Sequence, residues 1–332
     1  MLRTALAVAS SALAALLLAA CGDDSSSTGP VGGSPPGDAC APAEGCPAVV
    51  SDCVAFEDNA GKDAFSLRIS DLQISSPAAL NSQVVAGLLA LGITPDYEQC
   101  VTADGLPLFT GDGSFNWILN FDRTAGTLRT GGAELETDPN AGYCFIDGTI
   151  GGFDVAPLEL PATFNDDGSF VLDGFADVVV PIFTSPTDAS SVILLPLKGV
   201  SITEGTISSD NNCMGSFNAA ELDPQNLCKP NLPTVPAFKT GANLDGYITL
   251  EEADAVAVPQ LGGASLCTLL TTAEFIEDNK CKRMNGEILL EGDWCAGAEG
   301  EPGTPATATC KDSVRLSAKF AAAGAKLRTD CN

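Results

Sequence analysis

The chain has 332 residues, no histidine, and 43 acidic against 16 basic side chains, for a formal charge of −27. A surface this acidic repels nucleic acid and anionic head groups, which excludes a nucleic-acid partner, and it concentrates cations around it. Without histidine there is no His-based catalytic triad, no His-ligated haem and no zinc site of mixed ligation.

At the N-terminus, Arg3 precedes the apolar run ALAVASSALAALLLAA, which is shorter than the roughly 20 residues a spanning helix needs. The run ends in Leu18-Ala19-Ala20-Cys21. These residues resemble the lipobox of bacterial lipoproteins, in which small side chains precede a cysteine that is lipidated and becomes the first mature residue. The resemblance implies that residues 1–20 are a signal peptide and that Cys21 carries palmitate-type acyl chains. Each buried CH₂ contributes about 0.8 kcal/mol, so one chain holds weakly and two or more hold firmly. Gly22 rather than Asp follows Cys21, which in lipoprotein sorting leans towards the outer membrane, on its periplasmic or its cell-surface face. Residues 21–39 read as a flexible tether, with Val31 the single aliphatic side chain apart from proline in 22–38.

Twelve further cysteines follow: Cys40, Cys46, Cys53, Cys100, Cys144, Cys213, Cys228, Cys267, Cys281, Cys295, Cys310 and Cys331. The even number, the absence of any Cys-x-x-Cys pair and the export signal predict six disulfides, with the connectivity open.

Residues 40–217 read as a β-rich domain. Phe65, Leu67 and Ile69 alternate with polar residues at the period of a half-buried strand. The segment 77–93 changes period: Leu80, Val84, Leu88 and Leu91 recur at helical spacing behind Pro77, which predicts the one helix of this half. Phe115, Trp117, Leu119 and Phe121 share a face, and Asp122-Arg123-Thr124-Ala125-Gly126 supplies a hairpin turn. The longest alternation runs through Phe170, Leu172, Ala176, Val178, Val180 and Ile182. A second apolar strand, 192–202, slips parity around Gly199 as a β-bulge requires.

Residues 218–236 carry four prolines and read as a linker. Residues 237–332 hold helix-like segments at 249–257, 265–277 and 310–328, and together with Cys228 read as a small cysteine-stapled α module. The expected fold class is therefore α+β: a mainly antiparallel sheet with one packed helix, plus a small disulfide-rich α module.

Three stretches invite a chemical reading. Gly241–Glu252 resembles an EF-hand or dockerin-type calcium loop, with Asn243, Asp245, Tyr247 and Glu252 at ligand positions and Gly246 at the sharp turn. Gly241 stands where the first carboxylate belongs, and the proline-rich approach cannot form the incoming helix. The resemblance therefore implies a relic or weak calcium site, with Thr249 and Glu252 serving as a helix capping box instead. No other cofactor is expected. Ser209-Asp210-Asn211 and Lys239-Thr240-Gly241 match motifs of serine β-lactamases and penicillin-binding proteins, but no Ser-x-x-Lys nucleophile precedes them. The carboxylates in 109–115 and 164–170 sit beside Gly and Ser, where Asp serves turns.

The sequence predicts a non-enzymatic, lipid-anchored envelope lipoprotein with a binding or structural role. The membrane, through the anchor, is its expected partner, together with an apolar ligand or an envelope protein. The alternatives are a carrier of a lipid or other apolar ligand in a half-open β cavity, and an acidic-residue hydrolase.

Overall fold

Alternation of apolar and polar side chains is the dominant pattern in the computed structural model, and it builds one large antiparallel sheet. The structure describes residues 40–43, 49–50, 52–81, 92–93, 101–102, 105, 113–136, 138–226, 228–230 and 237–331. Nine strands form the main path of this twelve-stranded sheet: β1 (Ala64–Ser76), β2 (Trp117–Asp122), β3 (Thr127–Gly132), β4 (Leu158–Phe164), β5 (Phe170–Leu172), β6 (Ala176–Phe183), β7 (Val192–Thr203), β8 (Ala242–Thr249) and β9 (Ser313–Gly324). Their spatial order is β5-β4-β3-β2-β1-β9-β8-β7-β6, so the C-terminal strand β9 lies at the centre, between β1 and β8.

The sheet curls into a half-barrel. Two bulges in β1 against β9, between Ile69 and Asp71 and between Ile74 and Ser76, add local twist. The first also resets the parity of β1: Phe65, Leu67 and Ile69 face inward before it, and Leu72 and Ile74 after it. The bulge expected at Gly199 is present, because the β7–β8 register skips there. Gly199 has φ +54°, and a Cβ would run into the Glu301 carbonyl, so only glycine fits. The curl brings the two edges together. Phe170 N donates to Gly205 O at 3.2 Å and Ile207 N to Gly168 O at 2.9 Å. At Gly132, on β3, the ring of Pro181 from β6 occupies the space a side chain would need.

Two expectations are corrected. Residues 237–332 are not a separate α module, since they supply β8 and β9, the centre of the sheet, and residues 36–332 form one compact unit. Alanine-rich 313–324 has helical propensity, but Val314, Leu316, Ala318, Phe320 and Ala322 recur every second residue and are all buried. Burial on a pleated surface outweighs propensity differences of under about 1 kcal/mol per residue. Among the described residues the α-helices of this part are α1 (Leu250–Ala255) and the single turn α2 (Cys267–Leu270). Nor are residues 218–236 a bare linker. Leu222–Asp223 pairs with Lys229–Pro230, and Cys228 is bridged to Cys40.

The helix expected over 77–93 falls largely outside the described residues, which show a 3-10 turn at Ala78–Leu80 and helical residues 92 and 93.

Among the described residues, five disulfides close the fold: Cys40–Cys228, Cys53–Cys213, Cys144–Cys331, Cys267–Cys281 and Cys295–Cys310. Cys46 and Cys100 lie outside the described residues, as do Cys21 and the tether. Three of the bridges join positions 160 to 188 residues apart and pin the layer that covers the outer face of the sheet.

Candidate functional site: an apolar cavity on the concave face

The inward side chains of the curled sheet do not fill it completely. A cavity of about 100 Å³ remains on the concave face. All nine strands reach it: Ile69 and Leu72 from β1, Trp117 from β2, Thr130 from β3, Leu158 from β4 and Leu172 from β5 on one side, and Val180 from β6, Leu197 from β7, Leu244 from β8 and Phe320 from β9 on the other. Because the edge strands β5 and β6 face the same space, the cavity results from the curl of the sheet and belongs to no single hairpin.

Its wall is almost wholly hydrocarbon. Thr130 and Ser201 are the polar residues among the described lining, and no charged side chain is present there. The Thr130 hydroxyl is already engaged, accepting from Trp117 Nε1 and donating to Ile118 O, both at 2.8 Å. Such a wall cannot bind or stabilise a charged group, since transfer of an unpaired ion into it costs many kcal/mol. It suits an apolar guest. A 150 Å³ apolar cavity is known to stay dry and bind benzene, so about 100 Å³ accommodates a small apolar molecule or the end of a hydrocarbon chain.

The residues singled out for metal binding lie elsewhere. The stretch proposed as a calcium loop is the strand β8, paired on both sides: Asn243 with Thr203 and Lys319, Asp245 with Ser201 and Ser317. At about 3.3 Å per residue, Asn243 and Tyr247 are separated by about 13 Å along the strand, too far to share an ion. Each has its own partner. Asn243 Nδ2 donates to Glu204 Oε2 at 2.7 Å. Asp245 Oδ1 accepts from Arg315 Nη2 at 2.8 Å and from Ser317 Oγ at 2.6 Å. Tyr247 Oη accepts from Gly297 N at 3.0 Å.

Glu252 completes a capping box with Thr249, as the local sequence implies: Thr249 Oγ1 accepts from Glu252 N at 3.1 Å, and the Glu252 side chain reaches the Thr249 backbone. Its other oxygen lies 3.2 Å from Lys198 Nζ, which is also 3.3 Å from Asp177. Against the desolvation that lowers it, these two carboxylates hold the Lys198 ammonium above its ordinary pKa. Asp254 with Cys267 and Cys281, and Asp312 with Cys295 and Cys310, cluster closely enough for a metal. In both groups the sulfurs are joined as disulfides and cannot serve as thiolates.

The remaining motifs are turn chemistry. Asp167 accepts from Ser169 N at 2.9 Å and Oγ at 2.6 Å, and the Ser169 bonds hold its pKa below the ordinary value. Asp210 is held down in the same way, first by Ser208. Asn211 Nδ2 donates to Lys62 O and its Oδ1 accepts from Arg123. Asp112, the carboxylate of the 109–115 stretch, lies outside the described residues. No described helix is long and apolar enough to cross a membrane. No protein-family model, curated protein or solved structure matches this chain.

Proposed function

We propose that this chain is a non-enzymatic, lipid-anchored lipoprotein of the bacterial outer membrane whose half-barrel holds an apolar ligand. The observation that carries the reading is the wall of the concave cavity, hydrocarbon on every side and free of charged groups among the described residues. Acid–base or nucleophilic chemistry has no reagent there, which favours binding over catalysis. Leu18-Ala19-Ala20-Cys21 supports the anchor, and the five disulfides suit an oxidising compartment outside the cytoplasm. Weak calcium binding and acidic-residue hydrolysis have no comparable support.

Native mass spectrometry of the full chain, extracted from cells in mild detergent, tests the proposal. The expected spectrum shows a fraction carrying an added neutral mass that organic extraction identifies as hydrocarbon-rich. A bare polypeptide, together with failure to take up any added alkane, alcohol or fatty acid, would overturn it.

A further inference from the structure

Among the described residues, the outer face of the sheet holds a buried cation without a counter-ion. Arg68 alternates with the inward Leu67 and Ile69 of β1, so its side chain enters the layer covering the opposite face, where it is 6% exposed. Its Nε donates to Asn116 Oδ1 at 2.7 Å, Nη1 to Ile69 O at 3.2 Å, and Nη2 to the carbonyls of Ile93 and Phe115. All four acceptors are neutral, and among the described residues no carboxylate lies within ion-pair distance of the guanidinium. Because a guanidinium has five N–H donors, one on Nη1 is left without a described acceptor.

Tyr143 lies against it, with the guanidinium carbon 5.5 Å from the ring centroid. The ring is held by its own backbone: Tyr143 N donates to Lys326 O and Tyr143 O accepts from Arg328 N, both at 2.9 Å, beside the Cys144–Cys331 bridge. Tyr143 is 1% exposed, and its hydroxyl has no hydrogen-bond partner among the described residues. Burial lowers the pKa of Arg68 and raises that of Tyr143, so each feels the loss of solvent.

Both side chains border one cavity of about 30 Å³, whose other described walls are Val54, Phe56, Phe238, Ala323, Gly324 and Ala325. That exceeds the ~10–15 Å³ needed for one water-sized occupant. The wall offers a positive charge and two spare donors, and its one acceptor side chain is the Tyr143 hydroxyl itself. A water placed there could give one proton to the Tyr143 oxygen but would leave the Arg68 charge uncompensated. A halide accepts only, is about the size of one water, and compensates the charge.

We infer that Arg68 and Tyr143 form a buried binding site for a small monovalent anion of the halide class. It lies on the opposite side of the sheet from the apolar cavity and is independent of the ligand proposed there.

The test is thermal melting of the full chain in detergent, in sodium chloride or bromide against sodium gluconate at equal ionic strength, with chloride NMR line broadening as the direct readout. The melting temperature should climb with the logarithm of halide concentration, and the chloride signal should broaden. Tyr143→Phe keeps the ring and removes only the hydroxyl. It should weaken halide affinity about tenfold or more, the loss expected for one hydrogen bond to an ion. Identical melting in halide and gluconate without line broadening, or a Tyr143→Phe protein with unchanged halide affinity, would overturn the inference.

Discussion

Asp71 follows the first bulge of β1 and is half-buried on the outer side of the sheet. Its carboxylate accepts from Gln73 Nε2, and among the described residues no lysine or arginine lies within ion-pair distance. Burial without a cation raises its pKa from 3.8 to about 6, against the lowering effect of the Gln73 bond. The sign follows from proton counting. In the unfolded chain the group ionises above pH 3.8, while in the folded protein it keeps its proton until about pH 6. Between these values the unfolded state binds fewer protons, so stability falls as pH rises, then levels off. At 1.36 kcal/mol per pKa unit, the ionised carboxylate costs the folded state ~2–3 kcal/mol near neutrality. Asp71→Asn has nearly the same shape, retains an acceptor for Gln73 and never ionises. Urea unfolding should therefore find the variant ~2–3 kcal/mol more stable than the parent at about pH 8 and equal to it at about pH 3.5. A variant no more stable at the higher pH, or one whose advantage persists at the lower pH, would refute the reasoning.

Other consequences are open to direct measurement. The separations of Cys40–Cys228 and Cys53–Cys213, 188 and 160 residues, differ by 28, so with the outer bridge in place the inner one closes a loop of that size. Replacing Cys53 and Cys213 together by alanine should lower stability by ~3–4 kcal/mol and raise the urea m-value as the unfolded chain expands. A loss below about 1 kcal/mol would mean that the covering layer is held by packing alone. Thr249→Ala removes the α1 capping box and should cost about 1 kcal/mol in urea unfolding, with Thr249→Ser recovering most of it. Gly132→Ala drives a methyl into the Pro181 ring where the half-barrel edges meet, and should destabilise the protein by ~1–3 kcal/mol. Hydrogen exchange should then quicken in β6 and leave β1 unchanged.

Much of the half-barrel is legible in the sequence because period-2 alternation is a local signal. Phe65 to Ile69, Phe115 to Phe121 and Phe170 to Ile182 all turn the predicted face towards the core or the cavity. The Gly199 bulge and the Thr249–Glu252 cap are legible for the same reason, since each depends on a few neighbouring residues. Strand β9 is hidden by composition. Its alanines read as helix, and only the inward Val314, Leu316 and Phe320 disclose the period. Strand β8 is hidden by a motif: Asn, Asp and Gly at loop spacing resemble a calcium site, while Leu244 and Ile248, two turns of the pleat apart, carry the strand. Neither the disulfide connectivity nor the cavity can be read locally. The pairing depends on which distant segments the sheet brings together, and the cavity on the summed twist of nine strands. Arg68 escapes notice because one arginine in an alternating strand occupies the position of an outward polar residue. Only the covering layer, with Tyr143 within it, shows that the position is buried.

The claim that the concave face is a binding site is tested most directly by calorimetric titration of the full chain with benzene, a single-ring apolar guest, comparing the parent protein with Ala176→Phe. Ala176 lines the cavity, and a ring in its place fills that space from the β6 edge. Saturable binding by the parent, competed by a fatty acid and abolished in the variant, is the predicted result. Equal binding by both proteins, or none by either, would contradict the account.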